Sequence, residues 1–162
     1  MNNIPQIRLI FLLTKNDCAD FDRDAVTHCL GIMPSISTAP TVSKGRLNSV
    51  AEIRELEQEL AGFTILPAQS PPYKMIKHAC WSIDLPKIEC WDLEEPLQKM
   101  EQLFSGKENK VLSVCKEYNL SADLLVRIFS ESNSMPELTL PSSSVSFWAS
   151  MGVSIGFDFY LN

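Results

Sequence analysis

The stretch that most limits what this chain can become is its end, residues 135–162, MPELTLPSSSVSFWASMGVSIGFDFYLN, where a short helical pattern runs into a strictly alternating strand. Val153, Ile155, Phe157, Phe159 and Leu161 fall on one face, and Ser154, Gly156, Asp158 and Tyr160 fall on the other. A period of two with one apolar side belongs to a strand that covers a core with one face and meets a wetter environment with the other. The ending therefore predicts the closing helix–strand unit of an α+β domain.

The remaining segments extend that reading. Residues 4–14, IPQIRLIFLLT, are apolar on both faces beyond Arg8, the pattern of a strand interior to its sheet. In FDRDAVTHCLGI, Asp22 suits an N-cap, Phe21 and Val26 a hydrophobic staple, and Gly31 a left-handed helix stop. Residues 34–46 read as extended, with turns at Pro34, Pro40 and Gly45. Across residues 48–61, Val50, Ile53, Leu56 and Leu60 recur at helical spacing against a Glu-rich side, which predicts an inserted amphipathic helix.

After the Pro-rich residues 67–72, residues 73–85 read as one strand. Two helices follow within residues 92–118, divided at Ser105-Gly106, with Asp92 as the first N-cap. The first carries the stripe Leu93, Leu97, Met100, Leu103 and Phe104, and the second Val111, Leu112, Val114, Cys115 and Tyr118. Residues 120–130 form another strand, and residues 141–151 a short helix capped by Ser142 or Ser143. The expected architecture is a single α+β domain over residues 1–162. It has a ferredoxin-like βαββαβ core, a mainly antiparallel sheet with helices on one face, an extra C-terminal αβ unit, and a helical insertion at about residues 47–70.

At 162 residues and 45% hydrophobic, the chain can bury a core of its own. Its longest apolar run, residues 9–13, lies between Arg8 and Lys15 and is far short of the roughly 20 residues that span a bilayer. No membrane span and no secretory signal is expected, and five irregularly spaced cysteines suit a reducing compartment, so the expectation is a cytoplasmic protein. A net charge of −6 argues against nucleic acid and leaves a basic protein as the electrostatically matched partner. A sheet face or edge left bare in such a domain also invites a homodimer.

Candidate chemistry is thin. Asp20, Asp22 and Asp24 begin like a calcium loop, but Ala25 stands where that loop needs Gly and Gly31 where it needs Glu, so capping explains them better. His28-Cys29 and His78-x-Cys80 have poor zinc spacing, and Cys29 reads as a small core residue. Cys80 with His78 is the one nameable nucleophile–base pair, and no motif supplies the group that would orient it. No metal, no cofactor and no catalytic residue is assigned, and a non-enzyme is expected. Trp81 and Trp148 share register with core positions, whereas Trp91 beside Asp92 reads as exposed. Trp91, Asp158, Tyr160, Glu52, Glu55 and Glu59 are the candidate binding residues.

Taken together, FDRDAVTHCLGIMPS, Lys44-Gly45, CWSIDL, DLEEPLQKMEQLF and the closing SMPELTLPSSSVSFWASMGVSIGFDFYLN resemble a bacterial family known only as a domain of unknown function, number 4279. The likeness covers nearly the whole chain, with Cys80 in place of a Gly before Trp81 and with the helical insertion as a departure. It implies a small single-domain bacterial protein with no assigned activity. Members look like orphan proteins found beside toxin systems, which implies an immunity-like role. The functional expectation is thus a protein-interaction module with an acidic, partly aromatic surface. The alternatives are a small-ligand-binding or regulatory domain and an enzyme with a dispersed Cys80/His78 site.

Overall fold

Strand β1 (Gln6–Lys15) is the axis of the molecule, because its apolar residues are wanted on both faces and its two edges are both taken. The structure, a computed structural model, describes residues 4–15, 19–39, 41–43, 64–66, 75–77, 79–130 and 135–161. On one side β1 pairs antiparallel with β6 (Cys80–Asp84) and, further along, with β7 (Ile88–Glu89). On the other it pairs antiparallel with β8 (Leu120–Ser130) over its full length, from Gln6 opposite Phe129 to Lys15 opposite Leu120. Strand β2 (Ile36–Thr38) adds antiparallel to β6, and β9 (Ser154–Leu161) adds parallel to β8. The result is an α+β fold on a mainly antiparallel six-stranded sheet of order β2-β6-β1-β8-β9, with β7 beside β1. Strands β3 (Thr41–Ser43), β4 (Thr64–Leu66) and β5 (Met75–Lys77) make a separate three-stranded sheet, with β3 parallel to β4 and antiparallel to β5.

The edge that β1 shares with β6 and β7 carries one irregularity. Ile10 faces Asp84 while Ile7 faces Ile88, so the partner strand carries one residue more than β1 over that interval. Such a bulge bends the strand and re-aims its side chains, and Pro86, which has no N–H to give, sits within it. The flanking backbone bonds, Leu85 N to Leu9 O and Cys90 N to Pro5 O, are both 3.0 Å.

Alternation along β1 sends Ile7, Leu9, Phe11 and Leu13 into the core, where they meet Trp81, Ile83, Leu124, Val126 and Ile128. The helices pack on that face. Phe11 lies 4.3 Å, centroid to centroid, from Phe104 of α2 (Glu94–Phe104) and 6.1 Å from Trp148 of α4 (Ser142–Ser150). Trp81 donates its indole N–H to Thr27 Oγ1 of α1 (Arg23–Leu30) at 2.9 Å, and Trp148 donates to Glu101 Oε1 at 3.2 Å. A buried indole keeps its single donor satisfied in this way. Helix α3 (Glu108–Tyr118) buries Val111 and Val114 in the same core.

Helix α1 begins and ends as its sequence requires. Asp22 accepts the Ala25 N–H at 2.8 Å, Phe21 and Val26 are both buried, and Gly31 stops the helix at φ +62°. Four expectations need correction. The stretch read as one strand holds two, β5 and β6, in different sheets, since a period of two does not say which sheet it serves. Asp92 stands one residue before the N-cap, Leu93, and still accepts the Glu94 N–H at 2.9 Å. The N-cap of α4 is Pro141, with no side-chain cap from Ser142 or Ser143. Cys29 is exposed, because this short helix commits only Val26 and Leu30 to the core. The helix expected over residues 48–61 lies outside the described residues.

Candidate functional site

The face of the sheet turned away from the helices carries a row of charge that crosses four strands. Alternation places Arg8, Ile10 and Leu12 of β1 there, and the register sets Arg8 directly opposite Arg127 and Arg127 opposite Asp158. Asp84, opposite Ile10, lies diagonal to Arg8. The row reads Asp84, Arg8, Arg127, Asp158. Two like charges face to face across antiparallel strands repel, and an acid at each end of the row offsets that repulsion.

The two halves of the row differ in quality. Arg8 grips Asp84 with two donors, Nε to Oδ1 at 2.7 Å and Nη2 to Oδ2. That fork is the strong form of an arginine–carboxylate pair, and the hydrogen bond to Asp84 raises the guanidinium pKa above its ordinary value against the opposing effect of burial. At the other end, Arg127 Nε lies 3.4 Å from Asp158 Oδ2, within ion-pair range but without hydrogen-bond geometry. Shielded from water, that N–H has no hydrogen-bond partner among the described residues.

Beside the charges lies an aromatic pair. Phe129 and Tyr160, opposite each other on β8 and β9, stack with centroids 4.7 Å apart and planes 12° from parallel. Lys87, carried on the bulged stretch between β6 and β7, sets its ammonium 3.6 Å from the Phe129 centroid. Gln6 Nε2 donates to Glu89 Oε1 at 3.3 Å one strand further along.

Of the residues singled out from sequence, Asp158 and Tyr160 meet on this face of β9. Trp91 is exposed as expected, but it follows β7, so β1 and β8 separate its strand from β9; its carbonyl accepts the Glu137 N–H at 2.6 Å. Glu52, Glu55 and Glu59 lie outside the described residues, as does His78. Cys80 is half-buried, and burial pushes its thiol pKa up, opposed by a hydrogen bond with Ser82; a nucleophile needs the reverse. Asp20 accepts from Phe21 N at 2.8 Å and pairs with Arg23, so its carboxylate braces the start of α1.

Sequence reasoning passed over Arg8, Asp84, Lys87, Arg127 and Phe129. The available signal was an arginine inside each of two apolar strand runs, IRLIF at Arg8 and LVRIF at Arg127, since such a charge at a half-buried position requires an acid nearby.

The model of a family described as a domain of unknown function (DUF4279) matches residues 62–162. That span holds Asp84, Lys87, Phe129, Arg127, Asp158 and Tyr160, while Arg8 and the FDRDAVTHCLGIMPS and Lys44-Gly45 segments precede it. No curated protein and no solved structure matches the chain. With more than half of its residues matched by that model, the chain belongs to the DUF4279 family.

Proposed function

We propose that this protein is a non-enzymatic binding module that engages a protein partner through the exposed outer face of its last two strands, at the corner formed by Phe129, Arg127, Asp158 and Tyr160. The observation that carries the reading is the outward-facing Phe129–Tyr160 stack set beside the Arg127–Asp158 pair. Tyr and Arg are the residue types on which binding energy concentrates, and a stacked pair offers apolar area at little entropic cost. The net charge of −6 favours a basic partner, an immunity-like pairing in which electrostatic steering speeds capture. The core is read as ferredoxin-like: β1, α1, β2, β6, the α2–α3 pair and β8 follow the βαββαβ plan, and the order β2-β6-β1-β8 with antiparallel neighbours suits it. The module is placed in the cytoplasm on its cysteine usage.

The test is capture from native bacterial lysate at low salt and at about 0.5 M salt, where screening shortens to a few ångströms. A basic protein retained at low salt, released at high salt and lost with Tyr160→Ala supports the reading. No protein above background, or one held equally by Tyr160→Ala, overturns it. A second reading, a small anionic ligand, rests on the opposed Arg8 and Arg127 and on Arg127 Nε, which is ion-paired with Asp158 but makes no hydrogen bond among the described residues. A rise in melting temperature with inorganic phosphate or a dicarboxylate, absent in Arg127→Met, would favour it.

A further inference from the structure

The last strand has an unusual outer edge. Among the described residues β9 is hydrogen-bonded to β8 alone, in unbroken register from Ser154 to Leu161. Edge strands are ordinarily kept from pairing by lysines, prolines, bulges or short length. Here the strand runs eight residues with no Lys, no Pro and no bulge, and its single charge, Asp158, is turned toward Arg127. At its end Phe159 is 45%, Tyr160 42% and Leu161 56% exposed, although Phe159 and Leu161 lie on the face that nearer the start of the strand packs Ile155 and Phe157 against the core.

We propose that β9 is the seam of a two-fold homodimer, pairing antiparallel with β9 of a second copy. The strand contains its own complement. An acceptor, Asp158, and a phenol donor, Tyr160, lie two residues apart on one face, and Phe157, Phe159 and Leu161 lie on the other. An axis at Phe159 sets the two Phe159 rings against each other, Asp158 against Tyr160 of the second copy, and Phe157 against Leu161 of the second copy. Each copy then uses the same patch in both roles, as an isologous contact requires. An axis at Asp158 would oppose two carboxylates, which is destabilising. An axis at Phe157 would pair Leu161 with Val153, already 9% exposed, and leave the exposed residues apart. The seam joins two six-stranded sheets and sets both Phe129–Tyr160 stacks on one continuous face.

Sedimentation equilibrium from about 1 to about 100 μM, the range of ordinary transient association, tests the assembly. A dimer is expected for the protein, and for Phe159→Lys a folded monomer with an unchanged far-ultraviolet circular dichroism spectrum and without the concentration-dependent melting of the parent. In a Cys29→Ser background, Phe159→Cys should oxidise to a covalent dimer, because paired Cα atoms about 5 Å apart are within disulfide reach. Phe157→Cys and Asp158→Cys should not. A monomer throughout, a dimer indifferent to Phe159→Lys, or cross-linking through position 157 or 158 overturns the seam. A monomeric protein that still captures a basic partner would overturn this inference alone, since partner capture does not depend on it.

Discussion

Trp148 shows how much one side chain can decide. Its ring lies in the aromatic group of Phe11, Phe104 and Phe147, fully buried, with its one polar atom bonded to Glu101. Replacing it with Ala removes that packing and leaves a void at the junction of α2, α4 and β1. Trp148→Ala is therefore expected to cost about 3–5 kcal/mol in urea unfolding. Cys115 gives a prediction of another kind. Burial pushes its thiol up to about 11 from 9.0, so the folded state prefers the neutral form. The stability this contributes is complete below about pH 9 and is lost as pH rises through about 11, because the unfolded chain gives up its proton first. Cys80 and Cys90 shift in the same direction. Urea midpoints measured across that window should fall less steeply for Cys115→Ala than for the parent protein. At this scale the sequence was legible where register alone decides: Trp81 and Trp148 follow core positions, and Trp91 does not. The Arg8–Asp84 pair was not legible, because it spans 76 positions and exists only once β6 is known to lie beside β1.

Among the elements, β9 owes its position to the turn that precedes it. Helix α4 ends at Ser150, Gly152 takes φ +68°, and Val153 N returns to Trp148 O at 3.1 Å before the strand starts. A left-handed residue at that point is nearly free for Gly and strained for any residue with a Cβ. The nearest atom to a Cβ there is Leu112 Cδ2 at 3.9 Å, an ordinary contact, so the strain is in the backbone alone. Gly152→Ala is accordingly expected to cost about 1 kcal/mol, read as a lower urea midpoint with an unchanged slope. The alternation of residues 153–161 revealed both the strand and its two faces in advance. It did not reveal that Val153 is buried in the core and Ile155 and Phe157 pack against it while Phe159 and Leu161 stand exposed, since where the helical cover stops is a property of the packed molecule. The same limit applies to β5 and β6, read from sequence as one strand but belonging to two sheets.

For the whole molecule, the described helices and the aromatic core lie on one side of the sheet, and the charged row with its aromatic corner lies on the other. Order of strands is what converts scattered residues into that corner: Arg127 and Phe129 come from β8, Asp158 and Tyr160 from β9, and Lys87 from the bulge beyond β6. Composition pointed to an acidic module and hydropathy patterning to an α+β fold, but neither could join positions so far apart along the chain. The measurement that bears most directly on the binding account is a titration of the basic protein that the proposed lysate capture is expected to yield against the parent chain, Tyr160→Ala and Trp91→Ala. Tyr160→Ala should weaken binding at least about tenfold, the scale of a hot-spot side chain, while Trp91→Ala stays within about twofold. Equal affinity for Tyr160→Ala and the parent protein, or a larger loss for Trp91→Ala, would contradict the assignment of the partner surface to the open face of the last two strands.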